Sequence, residues 1–118
     1  MPLIEVRYNA NTVHPMDIAR AISVLPLEAS TRLSCEEGGK LSEKDIMIEV
    51  QTFGLLDKHC KDIHIRVWAH DYPSRKERLE EIQSLILSRV RCAIGDTYDM
   101  YVWVLLCPTA YGSIDAIK

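Results

Sequence analysis

The chain has 118 residues, with 14 Lys and Arg against 17 Asp and Glu, a formal net charge of −3. This length suits one domain with a modest core, and the acidic balance argues against a sequence-independent nucleic-acid partner, which requires a basic excess. No run of about 18 apolar residues marks a membrane span. The start, Met1-Pro2-Leu3-Ile4-Glu5-Val6-Arg7, lacks the charged and apolar regions of a signal peptide, so a cytoplasmic protein with no membrane partner is expected.

Taken in chain order, Leu3 to Tyr8 alternates and is rich in β-formers, predicting a strand, with Asn9-Ala10-Asn11-Thr12 as turn material. Pro15 suits the first turn of a helix, and His14 before it reads as a turn or cap residue. Ile18, Ile22, Leu25, Ala29 and Leu33 form one apolar stripe, in which Pro26 should kink or restart the helix. A polar connection from Cys35 to Lys44 contains Gly38-Gly39. Asp45 to Phe53 then reads as a second strand, with Ile46, Ile48 and Val50 on one face and Met47, Glu49 and Gln51 on the other. After a connection over Gly54 to Lys61, Asp62 to Ala69 gives a third strand.

Pro73-Ser74-Arg75-Lys76-Glu77 reads as a helix start, with Ser74 as cap and Glu77 completing a capping box. Leu79, Ile82, Leu85, Ile86 and Val90 form its buried stripe. Arg75, Lys76 and Arg78, interleaved with Glu77, Glu80 and Glu81, read as a solvated face of compensating pairs. Gly95 fits the helix end, and Met100 to Cys107, apolar on both faces, is a fourth strand. The four cysteines, Cys35, Cys60, Cys92 and Cys107, form no C-x-x-C pair and read as buried free thiols. His59, Cys60 and His64 are close in sequence, but no second ligand pair stands at a usual spacing, so no metal site is expected. Glu49 reads as a solvated or ion-paired strand position before a catalytic one. No nucleophile motif, phosphate loop or dinucleotide fingerprint appears, and no cofactor is expected.

The element order is βαβ–βαβ. Ile4-Glu5-Val6-Arg7 echoes Ile63-His64-Ile65-Arg66, and Asp45-Ile46-Met47-Ile48 echoes Asp99-Met100-Tyr101-Val102, suggesting a single domain of two α/β pseudo-repeats over about 2–54 and 61–108, with a tail at 109–118. A ferredoxin-like sandwich has the same order of elements, so periodicity leaves both arrangements open.

Pro2 follows the initiator methionine. Aminopeptidases commonly remove methionine before a small residue, which here leaves a secondary amine at the start of a strand. An α-amine has an ordinary pKa of about 7.7–8.0, and an apolar pocket lowers it by disfavouring the charged form. An amine so tuned can take a proton from one carbon and return it to another. A Met-Pro start alone is common, and proline is tolerated at the first residue of a strand.

Met1-Pro2-Leu3-Ile4-Glu5-Val6 leading directly into a strand, followed by βαβ–βαβ in this length, resembles the tautomerase superfamily, including its macrophage migration inhibitory factor and carboxymethyl-hydroxymuconate isomerase branches. The resemblance extends to about Asp115. It implies a four-stranded mixed sheet with two helices on one face, a homotrimer with active sites between subunits, and Pro2 as acid or base on a small keto or enol acid. Carried over position by position, it makes Lys40 the nearest match to a pocket lysine, with Lys44 competing, and puts Tyr101 where a tyrosine enters from the neighbouring subunit. Trp103 stands where the family has an asparagine and Trp68 falls near a third-strand pocket residue, which makes the pocket more aromatic. Arg7 and Arg66 are candidate carboxylate holders, because a guanidinium can pair with a carboxylate through two bonds; strand arginines also serve in surface or inter-subunit ion pairs. The alternative function is a non-catalytic tautomerase-like or ferredoxin-like interaction module.

Overall fold

The computed structural model describes residues 1–110 and 112–117; of the tail at 109–118, Tyr111 and Lys118 lie outside the described residues. Four strands, β1 (Leu3–Tyr8), β2 (Met47–Thr52), β3 (Ile63–His70) and β4 (Met100–Cys107), form one sheet in the order β2-β1-β3-β4. β1 and β2 run parallel, as do β3 and β4, and the two pairs meet antiparallel between β1 and β3. In the split arrangement of a ferredoxin-like sandwich another strand separates the two strands of each βαβ unit. Here β1 and β2 are hydrogen-bonded neighbours, so the ferredoxin-like alternative is excluded.

Helix α1 (Pro15–Leu33) connects β1 to β2, and α2 (Pro73–Glu77) with α3 (Leu79–Ile94) connects β3 to β4. The register sets the core. Ile4 lies opposite Val67 and Val6 opposite Ile65, and Ile65 lies beside Val102, all buried on the face that the helices cover. Ile18, Leu25, Ala29 and Leu33 of α1 and Ile82, Ile86 and Val90 of α3 complete that layer. Each fully buried aliphatic side chain is worth about 1.5–3 kcal/mol relative to exposure. Among the described residues no helix is long and apolar enough to cross a membrane.

Several local expectations are corrected. α1 is continuous through Pro26, so the helix does not restart there; Leu25 and Ala29 are both fully buried, and their packing holds the turn that the proline leaves one amide short. His14 does cap α1, its Nδ1 accepting the Met16 amide at 3.1 Å. The second helix breaks at Arg78 (φ −105°, ψ 14°), where the Arg78 amide bonds back three residues to the Arg75 carbonyl. Its N-cap is Tyr72, not Ser74. Ser74 instead gives its amide and hydroxyl to the Glu37 carboxylate at 3.0 and 2.6 Å, so a loop distant in sequence caps this turn. The free cysteines are not buried: Cys35 and Cys107 are half-buried, and Cys60 and Cys92 exposed.

Candidate functional site

Pro2 is buried at the head of β1, and its carbonyl accepts the Met47 amide at 3.1 Å, fixing the chain start against β2. Met1 and Pro2 form one wall of a small cavity of about 90 Å³. Gly38 and Leu41 enter from the loop before β2, His70 from the end of β3, and Tyr72 and Arg75 from the cap and first turn of α2. The loop is tight: a Cβ at Gly38 would lie 2.7 Å from the Tyr72 ring, so glycine permits this approach. The Glu37–Ser74 bonds latch the same loop to α2, and those bonds, led by the Ser74 hydroxyl, hold the Glu37 carboxyl below its ordinary value.

Arg75 is the residue that pattern reading placed wrongly. Expected on a solvated face, it is only 4% exposed. Its Nε donates to the Leu33 carbonyl at 2.9 Å and its Nη1 to the His70 carbonyl at 3.1 Å, and the guanidinium lies 4.9 Å from the centroid of the Tyr72 ring. Among the described residues no carboxylate pairs with it. Glu37, whose carboxyl feels its charge, commits both oxygens to Ser74. A guanidinium withdrawn from water, held by two neutral carbonyls and facing a cavity, suits an anion supplied from outside the chain.

The other sequence candidates lie elsewhere. Lys40 and Lys44 are exposed, and neither lines the Pro2 cavity. Arg7 is paired with Asp57 at 2.9 Å and lies over Phe53. Arg66, Trp68, Tyr101 and Trp103 line a shallow depression of about 380 Å³ on the sheet face away from the helices. The same face carries Leu3, Glu5 and Arg7 of β1 and Met47 and Glu49 of β2. The Trp68 indole donates to Glu5, while Trp103 remains 53% and Met47 45% exposed. One chain therefore brings Pro2 and Arg75 into one cavity, with Trp68 in an adjoining cleft, and leaves Arg66, Tyr101 and Trp103 apart from them.

His64 is buried beside that set. The Lys61 amide donates to its Nε2 at 3.0 Å, so in the neutral ring Nδ1 carries the proton and donates to the Tyr101 oxygen at 2.7 Å. Both ring nitrogens are thus engaged, which leaves His64 no free position for a metal.

No protein-family model matches this sequence, and no curated protein matches it. Solved structures do match its fold. Malonate semialdehyde decarboxylase is 11% identical with a TM-score of 0.70, covering 98% of this chain and 92% of that one. A fused 4-OT, solved as a symmetric trimer, is 13% identical with a TM-score of 0.63, covering 98% and 94%. A macrophage migration inhibitory factor-like protein from Entamoeba histolytica is 15% identical with a TM-score of 0.55, covering 97% and 95%. All three are tautomerase superfamily proteins, and the fold of this chain is the tautomerase fold.

Proposed function

We propose that this protein is a tautomerase of the cytoplasm, in which the amine of Pro2, freed by removal of Met1, acts as general acid and base on a small keto or enol acid, with no cofactor. One observation carries the reading: the buried guanidinium of Arg75, with no carboxylate partner among the described residues, lines the same small cavity as buried Pro2. A carboxylate on Arg75 holds the adjacent carbonyl carbon and its α-carbon next to the amine. Burial and the neighbouring positive charge both disfavour the ammonium form of that amine, which suits it to take a proton near neutral pH. Arg75 takes the carboxylate-holding role in place of Arg7, already paired with Asp57.

The assembly that fits is a homotrimer in which the open sheet faces meet, covering Trp68, Trp103 and Met47 and bringing Tyr101 to a neighbour's Pro2 cavity. The exposed aromatic side chains on that face support it. The same face also favours a second reading, a self-associating module without catalysis, in which Met1 is retained and Pro2 has an amide nitrogen that cannot act as a base.

Ketonisation of an aryl enol pyruvate, followed by ultraviolet absorbance, separates the two. Pro2→Ala is expected to lower kcat by about 10²-fold or more, and Arg75→Lys to raise KM. Equal rates in wild type and Pro2→Ala would remove Pro2 from the mechanism.

A further inference from the structure

Two cavities meet at His70. Beside the Pro2 cavity lies an apolar cleft of about 310 Å³, walled by Leu3, Trp68, Ala69 and Cys107, and the two share only Met1 and His70. Once Met1 is removed, His70 is the remaining shared residue, its ring set between Tyr72 of one cavity and Thr109 of the other.

The His70 ring is fixed in plane and in tautomer. The Thr109 amide donates to Nδ1 at 3.1 Å, and the Thr109 hydroxyl lies 3.0 Å from the same atom. An amide N–H cannot accept, so Nδ1 presents its lone pair and the neutral ring carries its proton on Nε2. The ring meets Tyr72 edge-on with centroids 4.6 Å apart, and the His70 carbonyl is held by Arg75. Among the described residues Nε2 has no hydrogen-bond partner. His64 has the opposite tautomer, with its Nδ1–H committed to Tyr101. Of these two ring donors, His70 has the unspent N–H.

We propose that His70 is a catalytic hydrogen-bond donor of the Pro2 site, its Nε2–H holding the oxygen of the keto or enol group while Pro2 moves the carbon proton. The proposal rests on the Pro2 reading and extends it. In the enolising direction Pro2 takes a proton from the α-carbon, the C–H pair becomes the C=C bond, and the carbonyl π pair moves to oxygen. His70 holds that oxyanion by hydrogen bond and keeps its own proton. The Pro2 ammonium then protonates the oxygen, which restores the free amine and completes the enol. A donor aimed where charge develops contributes most in a site that excludes water. The substrate class follows: an α-keto acid with its carboxylate on Arg75, its oxygen at His70 and an apolar body in the Leu3–Trp68–Cys107 cleft.

Two isosteric variants test it with an aryl enol pyruvate as probe. His70→Asn keeps an acceptor near Nδ1 and loses the Nε2 donor, whereas His70→Gln places an amide N–H near Nε2. His70→Asn is expected to lose about 10²-fold in kcat with KM nearly unchanged, and His70→Gln to recover at least part of it. Equal losses in the two variants, or no loss in His70→Asn, would overturn the role. Pro2→Ala run alongside keeps the two ideas apart: an inactive Pro2→Ala with an unimpaired His70→Asn rejects His70 alone, and an active Pro2→Ala rejects the Pro2 reading. Long-range proton–nitrogen NMR of the wild-type imidazoles adds a readout independent of turnover. The Nε2–H tautomer at His70, with Nε2 shifting on addition of phenylpyruvate, is expected. The Nδ1–H tautomer, or no shift at saturating phenylpyruvate, would reject the donor role.

Discussion

The Nε of Arg75 donates to the carbonyl of Leu33, the last residue of α1, across 2.9 Å. That bond ties the first turn after β3 to the end of the first helix, and a second from Nη1 ties it to the end of β3. Arg75 therefore has a structural load as well as the proposed carboxylate. Arg75→Met should leave two carbonyls without their donor and cost about 3–6 kcal/mol, from about 1.5–3 kcal/mol per charge-assisted bond. Arg75→Lys, with one compact ammonium, should cost less. Urea denaturation of the two variants measures this, and an unchanged midpoint in Arg75→Met would count against the tethering.

His64 provides a pH test with a defined sign. Its pKa is lowered, first by desolvation and then by Arg66, Arg7 and Lys61, with Asp57 acting the other way. Between the ordinary value of 6.5 and that lowered value, the unfolded chain binds a proton that the folded chain does not. The contribution is fully present above 6.5 and falls as pH drops through the window beneath it. Urea midpoints at neutral and mildly acidic pH should show this loss in the wild type and a smaller one in His64→Gln. Tyr101→Phe removes the acceptor of the Nδ1–H and should cost about 1–2 kcal/mol at neutral pH.

Pro26 is tolerated where a helix interior disfavours it. An interior proline costs about 3 kcal/mol through its missing amide and its clash with the preceding turn. Since α1 is continuous here, Pro26→Ala should stabilise the protein, by about 1–3 kcal/mol. A rise in the thermal midpoint is the expected result; a fall would show that the proline ring itself packs where nothing else fits.

The Glu37–Ser74 latch controls the loop that roofs the Pro2 cavity. Glu37→Gln weakens the acceptor, so the Ser74 amide should exchange its hydrogen faster, with the loop from Cys35 to Leu41 losing protection alongside it. In the wild type the latch is present above the ordinary carboxyl value of 4.5 and is lost as pH falls through the lowered folded value.

Much of the fold was legible because its signals are local. Alternation in Leu3–Tyr8 and Ile63–His70, the stripe from Ile18 to Leu33 and the glycine at position 95 each follow from side-chain periodicity or backbone freedom. Strand pairing is non-local, so it was the element order together with the Pro2 start that pointed to a tautomerase-like sheet. Arg75 was missed because its charge outweighed its position. In the sequence it stands four residues before Leu79 and seven before Ile82, in step with the apolar positions that follow, so spacing alone could have flagged it although the helix itself breaks at Arg78. Basic residues in a first helical turn also run against the helix dipole, a second signal that another contact holds them. The His70–Thr109 and His64–Lys61 bonds, which set two tautomers, depend on chain segments meeting in space and leave no mark in the local pattern.

The central claim is that Pro2 carries a titrating amine. Protein labelled with ¹⁵N-proline, checked for loss of Met1 by intact mass, contains five proline nitrogens, and only that of a free N-terminal Pro2 can titrate. The account predicts one proline nitrogen moving with pH, at a midpoint below the ordinary α-amine range and coincident with the acidic limb of the ketonisation rate. If Met1 is retained, or if no proline nitrogen titrates between about pH 5 and 9 around that ordinary range, Pro2 is not the acid or base of this site.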